Sequence, residues 1–191
     1  MYPVEIDGPR IRLRDFREND LDGCMTVVGD PKVTWFLSFD TRTREHHAQL
    51  LAADIARAQT DPRPDHYLAV IEKATDEMIG FARLGNDRPR TAELGYAIRH
   101  DRWGHGYATE AATVMLDFGF NTLGLHRIQA AAGPDNTASH RVLEKLGFTY
   151  EGRMREHVFT NGAWRDSLLY STLEQEWAQR TPTIAHSSPS S

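Results

Sequence analysis

From Glu93 to about Asn121 the chain carries a strand-like run (Glu93 to Ile98), a glycine turn (Trp103-Gly104-His105-Gly106-Tyr107-Ala108-Thr109-Glu110-Ala111) and a helix-like run. In that helix Ala108, Ala111, Ala112, Met115 and Phe118 fall at i, i+3, i+4, i+7 and i+10, an apolar stripe that must lie on a sheet. Gly104 and Gly106 allow a tight turn and leave its N–H groups uncovered. The helix brings its positive dipole end to the same point, and bare amides at a helix N-terminus form a phosphate site. Four such bonds at roughly 1.5–3 kcal/mol each would hold a pyrophosphate. Two glycines alone fit a plain strand-to-helix turn better, and it is the surroundings that reverse this reading.

Composition narrows the setting. The chain has 191 residues, 40% of them hydrophobic, enough for one domain with its own core. A net charge of −5 does not suggest a nucleic-acid partner. One cysteine, Cys24, excludes an internal disulfide and reads as a packing residue in a helix-like segment. The opening MYPVEIDGPRIRLRD lacks an apolar signal core, and no segment approaches 18 consecutive apolar residues. The expectation is a cytoplasmic protein with no membrane association.

Residues 1–9 read as a short lead and Arg10 to Arg14 as a strand. Glu18 to Val28 reads as a helix capped by Asn19 or Asp20. Val33 to Phe39 reads as a loop or short helix, and Thr43 to Gln59 as a helix with Leu50, Leu51, Ile55 and Ala58 on one face. Tyr67 to Glu72 and Met78 to Leu84 read as a hairpin. Gly85 to Thr91 reads as a polar loop before the strand Ala92 to Arg99. His126 to Ala132 is a further strand. Asn136 opens a helix that stops at Gly147. Thr149 to Phe159 and Trp164 to Leu173 form strands joined at Asn161-Gly162, a strong hairpin signal. Glu174 to Gln179 is a short helix, so the domain spans residues 1–179. The Pro/Ser-rich remainder, 180–191, reads as a disordered tail. Two hairpins within this order exclude a strictly alternating doubly wound fold and give a mixed α/β single sheet with helices on both faces.

Four ordered pieces now resemble the GNAT superfamily of N-acetyltransferases, in its RimJ/RimL-type branch: ELGYAI at 93–98, WGHGYATEA at 103–111, NTASHRVLEKLGF at 136–148, and a closing Trp164, Asp166 and Tyr170. The resemblance covers Arg10 to Trp177. It implies a single mixed, mostly antiparallel sheet with a central splay between two strands and helices on both faces. It also implies acetyl-CoA as cosubstrate, with no metal, and an amine as acceptor.

Residue by residue, the family's Gln/Arg-x-x-Gly-x-Gly/Ala motif falls on Trp103, Gly106 and Ala108. Trp103 departs from the superfamily pattern, as is usual in this branch. The cofactor-binding set implied around it is Trp103, Gly104, His105, Gly106, Tyr107, Ala108 and Thr109. Arg99, Arg102 and Arg141 are candidates for the outlying 3'-phosphate, or solvated surface cations. Leu94, Gly95, Tyr96 and Ile98 lie along the strand where the pantetheine arm would insert. An N–H near Leu94 or Gly95 could hold the thioester oxygen as charge develops. Asn136 is placed against the pantetheine, or acts purely as a helix cap. The usual tyrosine seven residues beyond it is Leu143 here. Ser139 is the branch's substitute donor to the departing sulfur, or a packing residue. Glu93 is the candidate base for the ammonium, or a solvated strand-end carboxylate. Glu156 and Asp166 are alternative groups to bind the amine.

Other chemistries fit less well. His46-His47 and His100/His105 lack the spacing and the carboxylate or thiol partners of a metal site. The dinucleotide fingerprint fails, because Thr109 stands where its third glycine belongs. The sequence thus points to direct acetyl transfer onto a protein N-terminal α-amine or a small amine. A non-catalytic acyl-CoA-binding module is the alternative. Trp35, Phe36 and Trp164 could line a pocket or a homodimer contact, with core packing the simpler expectation.

Overall fold

The computed structural model describes residues 2–180. One eight-stranded sheet organises them, in the order β1-β2-β3-β4-β5-β6-β8-β7. The strands are β1 (Glu5–Asp7), β2 (Ile11–Asp15), β3 (Asp65–Glu72), β4 (Glu77–Arg88), β5 (Thr91–Ile98), β6 (Arg127–Ala132), β7 (Thr149–Thr160) and β8 (Ala163–Leu173). The helices are α1 (Leu21–Val28), α2 (Pro31–Thr34), α3 (Arg44–Ala58), α4 (Tyr107–Asp117), α5 (Thr137–Lys145) and α6 (Glu174–Arg180). Every neighbouring pair is antiparallel except β5–β6, which is parallel.

Helices cover both faces, and strand alternation assigns each side chain to one of them. On one face Leu13, Leu68, Leu84, Leu94 and Ile128 pack with Ala111, Ala112 and Met115 of α4 and Leu143 of α5. On the other, Ala69, Phe81 and Ala97 pack with Val27 and Val28 of α1 and Leu51 of α3. The stripe foreseen on α4 is buried at Ala111, Ala112, Met115 and Phe118. Burial pushes the Cys24 thiol up to about 12, which keeps it an inert packing group.

The β5–β6 pair is short. It runs through Thr91↔Arg127, Ala92↔Ile128 and Glu93↔Gln129 and then stops. Beyond it β5 stays with β4 as far as Gly80↔Ile98, and β6 stays with β8 as far as Ala132↔Leu168. Each half-sheet keeps its own ladder and twist, so the inner edges diverge. The expected splay is therefore present, opening after Glu93.

Two readings are corrected. Residues 5–7 form a strand, because Ile6 packs on the first core while its neighbours stay exposed. The segment read as a polar loop from Gly85 is an extension of β4 to Arg88, and β5 starts at Thr91. Asn86 and Arg88 are exposed, so this stretch has no apolar pattern to announce a strand. The Asn161-Gly162 hairpin is present, with φ of 52° and 73°. Its tip folds back over the α2–α3 loop: the Thr160 hydroxyl and the Asn161 N–H donate to Asp40, each at 2.7 Å. Arg165 donates to the carbonyls of Trp35 and Leu37 at 3.0 and 2.8 Å. Helix α6 runs to Arg180, and the expectation of a disordered tail beyond it lies outside the described residues.

Candidate active site

The glycine turn is built for an anion. Gly104 and Gly106 have φ of +78° and +82°, and a Cβ on Gly104 would meet nothing within 4 Å. No amide N–H from Gly104 to Thr109 has an acceptor among the described residues. These amides end at the start of α4, where the helix dipole adds partial positive charge. An open cradle of bare donors at a helix start fits a pyrophosphate.

Long-range contacts hold the cradle. Glu110, in the first turn of α4, accepts from the Arg10 and Ile11 amides at 2.6 and 3.1 Å and from Arg10 Nε at 2.7 Å. Arg10 in turn donates to the His105 carbonyl at 2.9 Å and lies over the Tyr107 ring, 4.7 Å from its centroid. Trp103 Nε1 donates to the Ile98 carbonyl at 2.7 Å, which fastens the turn to the end of β5. The Tyr107 hydroxyl donates to Glu72. That bond, with help from Thr75 and Arg102, holds the Glu72 carboxyl below its usual range.

The splay opens beside this cradle. Asn136 caps α5, its Oδ1 accepting from the Ser139 amide at 3.1 Å, and its side-chain nitrogen has no acceptor among the described residues. The Ser139 hydroxyl lies 2.8 Å from the Tyr96 hydroxyl. Burial pushes the Tyr96 phenol up to about 12, so it stays protonated. Sequence reasoning placed Tyr96 only along the strand and missed this pairing, because the two residues are 43 apart and the contact forms across the gap.

A cleft of about 930 Å³ joins the cradle to the opposite face of the sheet. Its lining includes Gly104, Gly106, Tyr107, Ala108, Thr109, Trp103, Asn136, Ser139 and Arg141, together with β5 from Glu93 to Ile98. On the far side stand Phe39 and Arg42, Asp54 of α3, Tyr67, Arg83, and His157 of β7. The group is assembled from the α2–α3 loop, α3, β3, β4 and β7, so no local pattern in the chain announces it as a unit. Arg83 Nη2 pairs with Asp65 at 2.9 Å, Asp54 pairs with Arg57, and burial raises the Asp54 carboxyl. Arg42 lies over the Phe39 ring at 3.8 Å.

Some foreseen residues are otherwise engaged. Arg99 holds Asp101 through two bonds of 2.6 and 2.8 Å, and Arg102 reaches Glu72, Glu77 and Asp101, so both are committed to carboxylates. Arg141 is exposed on the cleft wall. Asp166 accepts from Arg153 and from the Glu156 amide at 2.5 and 2.7 Å. It braces the β7–β8 hairpin, and neither it nor Glu156 lines the cleft. Trp35 and Trp164 are 59% and 61% exposed, contrary to the core-packing expectation, while Phe36 lines the cleft. No group of three or more potential metal-ligating side chains converges among the described residues, and no described helix is long and apolar enough to cross a membrane.

A splayed mixed sheet with an amide cradle at the end of its central strand is the arrangement that the resemblance to N-acetyltransferases implied. Residues 10–149 match the acetyltransferase (GNAT) domain family. An uncharacterized N-acetyltransferase, p20, of Bacillus licheniformis is 32% identical over 172 residues, covering 88% of this chain and 96% of p20. The [ribosomal protein uS5]-alanine N-acetyltransferase of Escherichia coli is 31% identical over 114 residues, 58% of this chain and 59% of that enzyme. The structure of Mycobacterium smegmatis RimJ in complex with CoA-disulfide superposes with a TM-score of 0.81 at 25% identity, covering 92% of this chain and 90% of RimJ. The chain belongs to the GNAT family of acetyltransferases, in its RimJ/RimL-like branch, and is an acetyl-CoA-dependent N-acetyltransferase.

Proposed function

We propose that the enzyme acetylates a primary amine by direct attack within a ternary complex, and that the amine is the α-amine of a protein N-terminus. The observation that carries this reading is the placement of two proton-handling groups on opposite faces of β5. Glu93 projects to the face that carries Tyr67 and Arg83, while Tyr96 projects to the face of Ser139 and α5. The unpaired inner edge of β5 lies between them.

The amides of His105, Gly106, Tyr107 and Ala108 hold the pyrophosphate, and Arg141 is the remaining arginine for the outlying phosphate. Asn136 and the inner edges of β5 and β6 take the pantetheine arm by backbone pairing. Acetyl-CoA supplies the activated acyl group. Glu93 accepts the proton that the ammonium must lose before nitrogen can attack. A β5 amide at Leu94 or Gly95 donates to the thioester oxygen as negative charge grows there. Ser139 returns a proton to the sulfur as the carbon–sulfur bond breaks. The only cysteine, Cys24, is buried in the α1 core, which supports direct attack over a thiol-bound acyl enzyme. The Escherichia coli relative, a [ribosomal protein uS5]-alanine N-acetyltransferase, supports the N-terminal α-amine; a small amine is the other outcome of the test.

The test is mass spectrometry of products from an acceptor panel: peptides starting with Ala, Ser or Met, polyamines, aminoglycosides and free amino acids. An acetyl mass gain on a peptide N-terminus is expected, and a gain on small amines alone would replace the acceptor assigned here. In the same assay Glu93→Gln and Ser139→Ala should each lower kcat by about 10²-fold, with acetyl-CoA affinity by calorimetry near wild type. Parallel loss of affinity would remove these roles.

A further inference from the structure

We infer that Gly95 sets which nucleophiles reach the acetyl group, its missing side chain being the passage through which a carbon-borne amine enters. This rests on the reading of the cleft given above. Three observations isolate the residue.

First, its backbone does not require glycine. It lies within β5, opposite Arg83, and is not among the residues of positive φ. Second, its packing does not require glycine. A Cβ there would meet nothing within 4 Å, whereas at Gly80 a Cβ would fall 2.2 Å from the Ala97 carbonyl oxygen. A glycine inside a strand weakens it, so its presence where neither conformation nor packing asks for it points to the space it leaves. Third, that space is the cleft. Leu94 is buried in the α4 core and Tyr96 reaches Ser139, so position 95 faces the side of Glu93 and Arg83. On β6, Ala131 stands two residues beyond the last β5–β6 pair, as Gly95 does on β5, and it too lines the cleft. The mouth of the splay on the acceptor side is thus walled by a hydrogen and a methyl group.

An attacking nitrogen must come within about 3–3.5 Å of the reacting carbon. If it is bonded to carbon, that carbon and its substituents follow into the mouth. A methyl at position 95 takes up this room and leaves the residue's own N–H in place. It therefore discriminates by the bulk behind the nitrogen. Hydroxylamine, whose nitrogen carries only a hydroxyl, is the small nucleophile for comparison.

The experiment uses the full chain and its Gly95→Ala variant, with the best acceptor of the wild-type panel. Four quantities are read: thermal midpoint, acetyl-CoA affinity by calorimetry, kcat/KM for that acceptor, and kcat/KM for hydroxylamine. The expected result is an unchanged or raised midpoint and a retained affinity. The ratio of acceptor to hydroxylamine kcat/KM should fall by about tenfold or more. An unchanged ratio overturns the inference. So does a parallel loss of acetyl-CoA affinity, which would give the space beside Gly95 to the donor rather than to the acceptor. A wild type that binds acetyl-CoA and acetylates no amine overturns the proposed function, and this inference with it.

Discussion

Tyr96 and Ser139 act at the scale of single residues. A phenol pushed up to about 12 keeps its proton at all ordinary pH values, so it can donate to the serine oxygen and leave the serine proton free to point elsewhere. Tyr96→Phe removes that donor and keeps the ring. The expected cost is about fivefold in kcat, the equivalent of one neutral hydrogen bond, with acetyl-CoA affinity unchanged. A double-mutant cycle with Ser139→Ala checks the coupling, because two groups acting as one unit give non-multiplicative losses. Fully multiplicative effects would dissociate the pair. The RimJ/RimL-type motif pointed to Ser139, but its partner was not legible, since no local pattern links residue 96 to residue 139.

The glycine turn and the start of α4 behave as one element, strapped by Arg10 and Glu110. Gly106 sits at φ +82°, where any other side chain is strained, and a valine there would also cover the bare amides. Gly106→Val should abolish acetyl-CoA binding, and retained affinity would displace the pyrophosphate from this turn. The strap makes a finer prediction. Glu110 is 10% exposed at its side chain and holds two backbone amides and Arg10. Glu110→Ala should cost about 1–3 kcal/mol of stability, read as a denaturant midpoint, and should weaken acetyl-CoA binding through the freed His105 carbonyl. Loss of stability with unaltered affinity would mean that the turn keeps its shape without the strap. Both glycines were readable from the sequence. The strap was not, because Arg10 precedes Glu110 by 100 residues.

Over the whole molecule, two buried histidines make stability depend on pH. Burial pushes His47 and His66 down to about 4, from an ordinary 6.5. Above 6.5 both are neutral whether folded or unfolded, and the folded state keeps its full advantage. As pH falls from 6.5 toward 4, the unfolded chain gains protons that the folded one refuses, and stability declines. The loss is at most about 3 kcal/mol per histidine. His66→Phe retains an aromatic ring against Phe118. It should flatten the fall in thermal midpoint between pH 6.5 and 4. An equally steep fall would assign the acid loss to the carboxylates.

Periodicity, glycine spacing and caps are local properties, so the sequence alone determined the strand–turn–helix unit, the stripe on α4, the Asn136 cap and the Asn161-Gly162 hairpin. It also carried the family motifs, and with them the splayed sheet and the acetyl donor. The tertiary structure alone decided where the splay begins, since that depends on which of two ladders each strand keeps beyond Glu93. It alone separated Arg99 and Arg102, held by carboxylates, from Arg141. It also turned Asp166 from an amine ligand into a brace for its own hairpin. The cleft wall of Arg42, Asp54, Tyr67 and Arg83 was decided there too. Its members come from a loop, a helix and two strands, and a chain read in one dimension holds no periodic signal for residues that meet only when the sheet closes around them.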